Sequence, residues 1–117
     1  MALKKPGQLV LFRFPQTDLL PGKLRPALLL ARLPSERSDW LVCMVSSQIS
    51  KAAAGVDEVV NSEDEDFSVS GLKGPSVIRL TRLAVVDDSL LIGAIGEIST
   101  SRLMILKRRL AKWIENS

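Results

Sequence analysis

The chain is 117 residues long and 46% hydrophobic, with 16 Lys and Arg against 13 Asp and Glu, which suits one domain over residues 1–117 with its own apolar core. Its apolar stretches, such as Ala27 to Ala31 and Leu90 to Ile95, fall far short of the ~20 residues that cross a bilayer, and Met1 to Gly7 leads into no signal-type run, so a cytoplasmic protein with no membrane partner is expected. One cysteine and no histidine exclude an internal disulfide, a zinc cluster, a His-activated nucleophile and a two-histidine nuclease, leaving an enzyme only Arg, Lys, Ser, Thr, Asp and Glu to work with and indicating no cofactor or metal.

Gln8 to Phe14 alternates, with Val10, Phe12 and Phe14 on one face and Leu9, Leu11 and Arg13 on the other, the period of a half-buried strand. Pro15 ends it, and Thr17 to Lys23 carries the Asp, Pro and Gly of a loop. Pro26 opens a second strand to Ala31, since a missing N–H is tolerated at a strand's first residue, and Arg25 stands where loop meets strand. After a turn over Pro34 to Asp39, Trp40 to Val45 reads as a third strand that delivers Ser46, Ser47 and Gln48 to its rim. Within it Cys43 reads as a small buried hydrophobe, whereas Trp40 is open to either packing or base stacking.

Lys51 to Ser70 is a polar connector with a short strand at Glu58 to Val60 and a turn or short helix around Glu63 to Phe67. Ser76 to Val86 and Leu90 to Ile98 read as two more strands, and Gly93 and Gly96 in the latter suggest a bulge or a close backbone approach. From Ser99, a good N-cap, Leu103, Leu106, Leu110, Trp113 and Ile114 recur at helical spacing, which predicts an amphipathic helix with Trp113 in the core. Many short strands followed by one helix suggest a small barrel capped by that helix.

Charge is unevenly spread. Lys4, Lys5, Arg13, Lys23, Arg25 and Arg32 face one acid, Asp18, in the first 32 residues, and Arg102, Lys107, Arg108, Arg109 and Lys112 crowd the C-terminus. Asp57, Glu58, Glu63, Asp64, Glu65 and Asp66 lie between. The two basic ends could share a polyanion-binding surface that the acidic run does not join, the alternative being plain solvated surface. The run itself reads as a solvated connector guarding a barrel edge in preference to a magnesium site.

The series Gly7-Gln8-Leu9-Val10, Leu24-Arg25-Pro26-Ala27-Leu28-Leu29-Leu30, Val45-Ser46-Ser47-Gln48-Ile49 and Gly71-Leu72-Lys73-Gly74-Pro75-Ser76-Val77-Ile78-Arg79-Leu80 resembles, in order and spacing, the MazF/PemK endoribonuclease toxins over nearly the whole chain. The resemblance implies a mostly-β fold, an SH3-like small barrel of the CcdB/MazF/PemK type with a C-terminal α-helix. It further implies metal-independent cleavage of single-stranded RNA at short motifs, a homodimer, and a cognate antitoxin that neutralises the toxin and carries the pair to DNA. It places the catalytic arginine on Arg25 and its hydroxyl partner on Ser46, with Ser47 as the neighbour if the register is off by one, and substrate contacts on Ser47, Gln48, Arg79 and Thr81.

The chemistry is compatible with a chain that lacks histidine. RNA brings its own nucleophile, the 2′-hydroxyl, and a guanidinium stabilises charge on phosphorus through a planar fork that stays protonated. Relatives commonly carry an acid two residues after the arginine at position 79, where this chain has Thr81. On a strand Thr81 would share Arg79's face but could not act as a carboxylate base. That departure keeps another class of function open, a non-catalytic SH3-like binding module or a CcdB-like toxin acting on a protein target such as DNA gyrase.

Overall fold

A computed structural model describes residues 4–13, 24–35 and 38–117. Its strands are β1 (Gln8–Arg13), β2 (Leu24–Arg32), β3 (Asp39–Ser46), β4 (Glu58–Val60), β5 (Ser76–Asp87) and β6 (Gly93–Glu97). A one-turn helix, α1 (Phe67–Ser70), precedes β5, and the long helix α2 (Thr100–Glu115) ends the chain. The strands form one antiparallel sheet in the order β4-β5-β3-β2-β1-β6, curled into half a barrel. The loop from Thr17 to Lys23, the end of strand one at Phe14, and the middle of the 34–39 turn lie outside the described residues.

Two apolar clusters form on the two faces of the central strands. Leu9, Leu28, Leu30, Cys43, Val45, Ile78 and Leu80 meet Leu106 and Leu110 of α2 on one face. Val10, Phe12, Ala27, Leu29, Trp40 and Val42 gather with Val86 and Leu91 on the other. β1 is therefore more than half-buried, with Leu9 covered on one face and Val10 and Phe12 on the other, because each face of the sheet carries an apolar cluster, and only toward its end, at Arg13, does one face open to solvent. Trp40 belongs to packing: its ring is buried, its indole N–H donates to Asp88 Oδ1 at 3.1 Å, and Arg32 lies 4.5 Å from its centroid. Cys43 is fully buried, and burial, followed by the charge of Asp57, pushes its thiol upward.

α2 starts where the sequence places it, with the Ser99 hydroxyl accepting from the Arg102 N–H. The core stripe is shorter than its spacing suggests. Leu106 and Leu110 are buried, but Trp113 is 37% exposed and Ile114 more so, since the last turn projects past the cluster that Leu110 closes.

The connector is likewise not a solvated run. Arg102 donates to Glu58 at 3.0 Å, Asp64 at 2.8 Å and Asp66 at 2.9 Å, while Arg109 meets Glu58 at 3.1 Å. The acids thus join the C-terminal basic group instead of standing apart from it, and a shared polyanion surface loses two of its guanidinium groups. Bonds from the Asn61 N–H and then from Arg102 lower the Asp64 carboxyl. For Asp66, burial works upward, but bonds from Arg102 and the Ser99 N–H outweigh it and lower its carboxyl as well.

Candidate active site

β2 and β3 run side by side in the register Ala27↔Met44 and Leu28↔Cys43. Continued by two residues, that register sets Arg25 opposite Ser46, and opposite residues of an antiparallel pair share a face. Arg25 is half-buried and has no hydrogen bond or ion pair among the described residues. Ser46 is nearly buried, and its Oγ accepts from the Gln48 N–H at 3.0 Å, which folds the chain back at the strand end and leaves the hydroxyl proton free to donate. Ser47 and Gln48 stand exposed beyond it.

Arg25, Ser46 and Ser47 lie on the rim of a cleft of about 530 Å³. Alternation turns their neighbours Pro26 and Val45 to its apolar floor, with Leu11 and Ile95. The far wall is Gly71 to Ser76, a segment held by backbone contact. Gly71 has φ +76, and a Cβ there would overlap the Ile95 carbonyl oxygen, while a Cβ on Gly96 would overlap that of Val69. Glycine at both positions lets the end of α1 sit directly on β6, and Ser70 Oγ ties the turn by donating to Phe67 O and accepting from Leu72 N–H. The close approach anticipated at Gly96 is thus what sets the cleft's width.

Among the described residues the lining carries two cations, Arg25 and Lys73, with three serines and no acid. That composition accepts a polyanion. A second hollow, lined by Glu58, Glu63, Asp64, Glu65 and Asp66, has the opposite sign, and Arg102 engages three of those carboxylates, Glu58, Asp64 and Asp66.

Arg79 and Thr81 do not line the cleft. Arg79 pairs across the sheet with Met44, two residues along β3 from Ser46, and its Nε lies 3.7 Å from Asp57 Oδ2. Between Arg79 and Leu83 the register against β3 jumps, so Leu80, Thr81 and Arg82 have no partners across from them. The backbone N–H that this bulge would orphan, that of Thr81, donates to Asp57 Oδ1 at 3.1 Å, and the Thr81 hydroxyl donates to the same carboxylate at 3.2 Å. Thr81 is therefore anchored to an acid from the connector, one residue before β4. Sequence reasoning gave Lys73 no role and placed Asp57 in the solvated acidic run, whereas its carboxylate is buried. Lys73 lay within a quoted motif, whereas Asp57 could be found only once the β4–β5 register was known.

The family model of PemK-like, MazF-like toxins of type II toxin–antitoxin systems matches residues 5–114. Among solved structures, the chain is similar to an endoribonuclease in complex with its cognate antitoxin from a mycobacterial species, with a TM-score of 0.69 at 11% identity over 97% of this chain and 96% of that one. It is also similar to toxin MazF-mt6 of Mycobacterium tuberculosis, with a TM-score of 0.64 at 19% identity over 95% of this chain and 97% of that one. At those identities the likeness speaks for the half-barrel and its helix. No curated protein matches the chain. A family match that leaves out only the terminal residues has one consequence: the chain belongs to the PemK-like, MazF-like toxins of type II toxin–antitoxin systems.

Proposed function

We propose that the chain, acting as one domain in the cytoplasm, is a homodimeric endoribonuclease that cleaves single-stranded RNA without a metal and is silenced by its antitoxin. The observation that carries this reading is the facing pair Arg25 and Ser46 on the rim of a cleft whose lining, among the described residues, has cations and no acid. The RNA 2′-oxygen attacks the adjacent phosphorus, the bond from phosphorus to the 5′-oxygen breaks, and that oxygen leaves with a proton, giving a 2′,3′-cyclic phosphate and a 5′-hydroxyl. Arg25 stabilises the charge that builds on the phosphoryl oxygens, and Ser46 donates a hydrogen bond beside it. Ser47 and Gln48, exposed past the strand end, contact the flanking nucleotides, and Lys73 faces them from the opposite wall. Arg79 reaches RNA from its own station along the sheet, with Thr81 behind it.

No helix among the described residues is long and apolar enough to cross a membrane. The test is incubation of a long unstructured RNA with the purified protein in excess chelator. Fragments ending in 2′,3′-cyclic phosphate are expected. RNA left intact at protein excess overturns the reading and favours a protein target.

A further inference from the structure

The β4–β5 register is Glu58↔Ile78, and continued by one residue it sets Asp57 opposite Arg79. The Asp57 carboxylate is wholly buried and held on three sides, by the Ala53 N–H at 2.9 Å, the Thr81 N–H at 3.1 Å and the Thr81 hydroxyl at 3.2 Å. Arg79 presents its Nε edge to this carboxylate at 3.7 Å, too long for a hydrogen bond, so Nε is a buried donor without an acceptor. Such a group needs a reason. The guanidinium has no hydrogen bond to the rest of the protein among the described residues, and its side chain stays 18% exposed. By the pairings Arg79↔Met44, Val77↔Ser46 and Ala27↔Met44, it shares the sheet face of Arg25 and Ser46, two strands or about 10 Å across from Arg25.

We propose that Asp57 is a positioning residue for Arg79: a fixed buried charge that turns the Nε edge of the guanidinium inward and its two amino groups outward, to take an RNA phosphate flanking the one at Arg25. A buried carboxylate locked by three donors cannot follow the arginine, so it sets the direction of the fork at little entropic cost when RNA arrives. Thr81 serves this arrangement as the anchor of the acid. The proposal rests on the reading that the protein cleaves RNA and that Arg79 contacts it.

The experiment compares steady-state cleavage of a fluorogenic single-stranded oligonucleotide, with circular-dichroism melts, for the wild type, Asp57→Asn, Arg79→Ala and the double variant. A contact equal in ground and transition states moves KM and leaves kcat. Asp57→Asn and Arg79→Ala are each expected to raise KM about tenfold, and the double variant no further, since coupled residues fail to add. Because the Thr81 hydroxyl touches the carboxylate, Asp57→Asn/Thr81→Asp returns a negative charge to the same spot and is expected to restore KM to within about threefold. Should Asp57→Asn fail to fold, Thr81→Val, which keeps the acid but frees it on one side, is read in the same way against Arg79→Ala. Additive losses, or a folded Asp57→Asn with wild-type KM, overturn the proposal. An Arg79→Ala variant with wild-type KM removes Arg79 from the RNA contacts and Asp57 with it, whereas wild-type protein that leaves RNA intact fails the activity reading itself.

Discussion

Arg25 stands at the end of β2 with no carboxylate of its own among the described residues, so its fork is available to substrate and its loss leaves no buried partner stranded. Removing one preorganised donor to a developing charge costs about 10²–10³ in rate. Arg25→Ala is expected to lose cleavage on that scale while its melt stays within about 0.5 kcal/mol of wild type. Arg25→Lys is expected to fail almost as badly, since a point charge cannot reproduce the fork. Ser46 has two duties, because its oxygen also closes the turn to Gln48. Ser46→Ala therefore loses activity and loosens that turn, while Ser46→Thr keeps both; a Thr variant as inactive as the Ala variant would remove the hydroxyl from the mechanism. The positions of these two side chains at strand ends were legible in the sequence, from a proline opening one strand and a serine pair closing another, while the roles proposed for them come from the resemblance. Asp57 was not, for its meaning lies in a cross-strand pairing with Arg79 and in a bulge that no local pattern announces.

Strands and helix were legible where a period of two or 3.6 ran for several residues, as in β1 and in α2 from its Ser99 cap. Periodicity says which residues share a face but not how far the opposing surface extends, which is why Trp113 was placed in a core that ends at Leu110. Nor does it say what a charged residue on such a helix meets. Arg102 binds three carboxylates from the connector and fastens the start of α2 to β4. Arg102→Leu leaves those acids facing one another with Asp66 nearly buried, and is expected to cost about 2–3 kcal/mol at pH 7, below the ~3–5 of a fully buried broken pair. The sign follows from the two lowered carboxyls, Asp64 and Asp66. Groups depressed in the folded state lend stability above their ordinary value of 3.8 and withdraw it as pH falls through the lower folded one. The gap in melting temperature between wild type and Arg102→Leu should therefore be widest near neutrality and shrink below about pH 4. A gap that is constant from pH 7 to pH 3 would show that Arg102 acts by packing and not by charge.

For the molecule as a whole, charge is sorted by what each cation already holds. Formal charge is only +3, yet Arg25 and Lys73 line a cleft with no acid among the described residues, and Arg79 stands on the same sheet face as Arg25. Arg102 and Arg109 are spent on the connector. The composition showed both signs but not their pairing, because Glu58 and Arg102 meet only after the sheet has curled and α2 has crossed it. The spent arginines have a thermodynamic consequence that can be read from a titration with salt. Single-stranded RNA releases about 0.7 of a counterion for each phosphate neutralised, and a guanidinium already covered by carboxylates displaces none. With Arg25, Lys73 and Arg79 in contact, the logarithm of RNA affinity should fall against the logarithm of salt with a slope of about −2 per site, measured with an oligonucleotide lacking the 2′-hydroxyl at the scissile position. A slope of about −3.5 would mean that the helix has surrendered its two arginines to the RNA. On the proposed reading, the acidic run would act as a built-in counterion cloud, fixed to the fold, that confines the toxin's grip on RNA to the sheet face of Arg25 and Arg79.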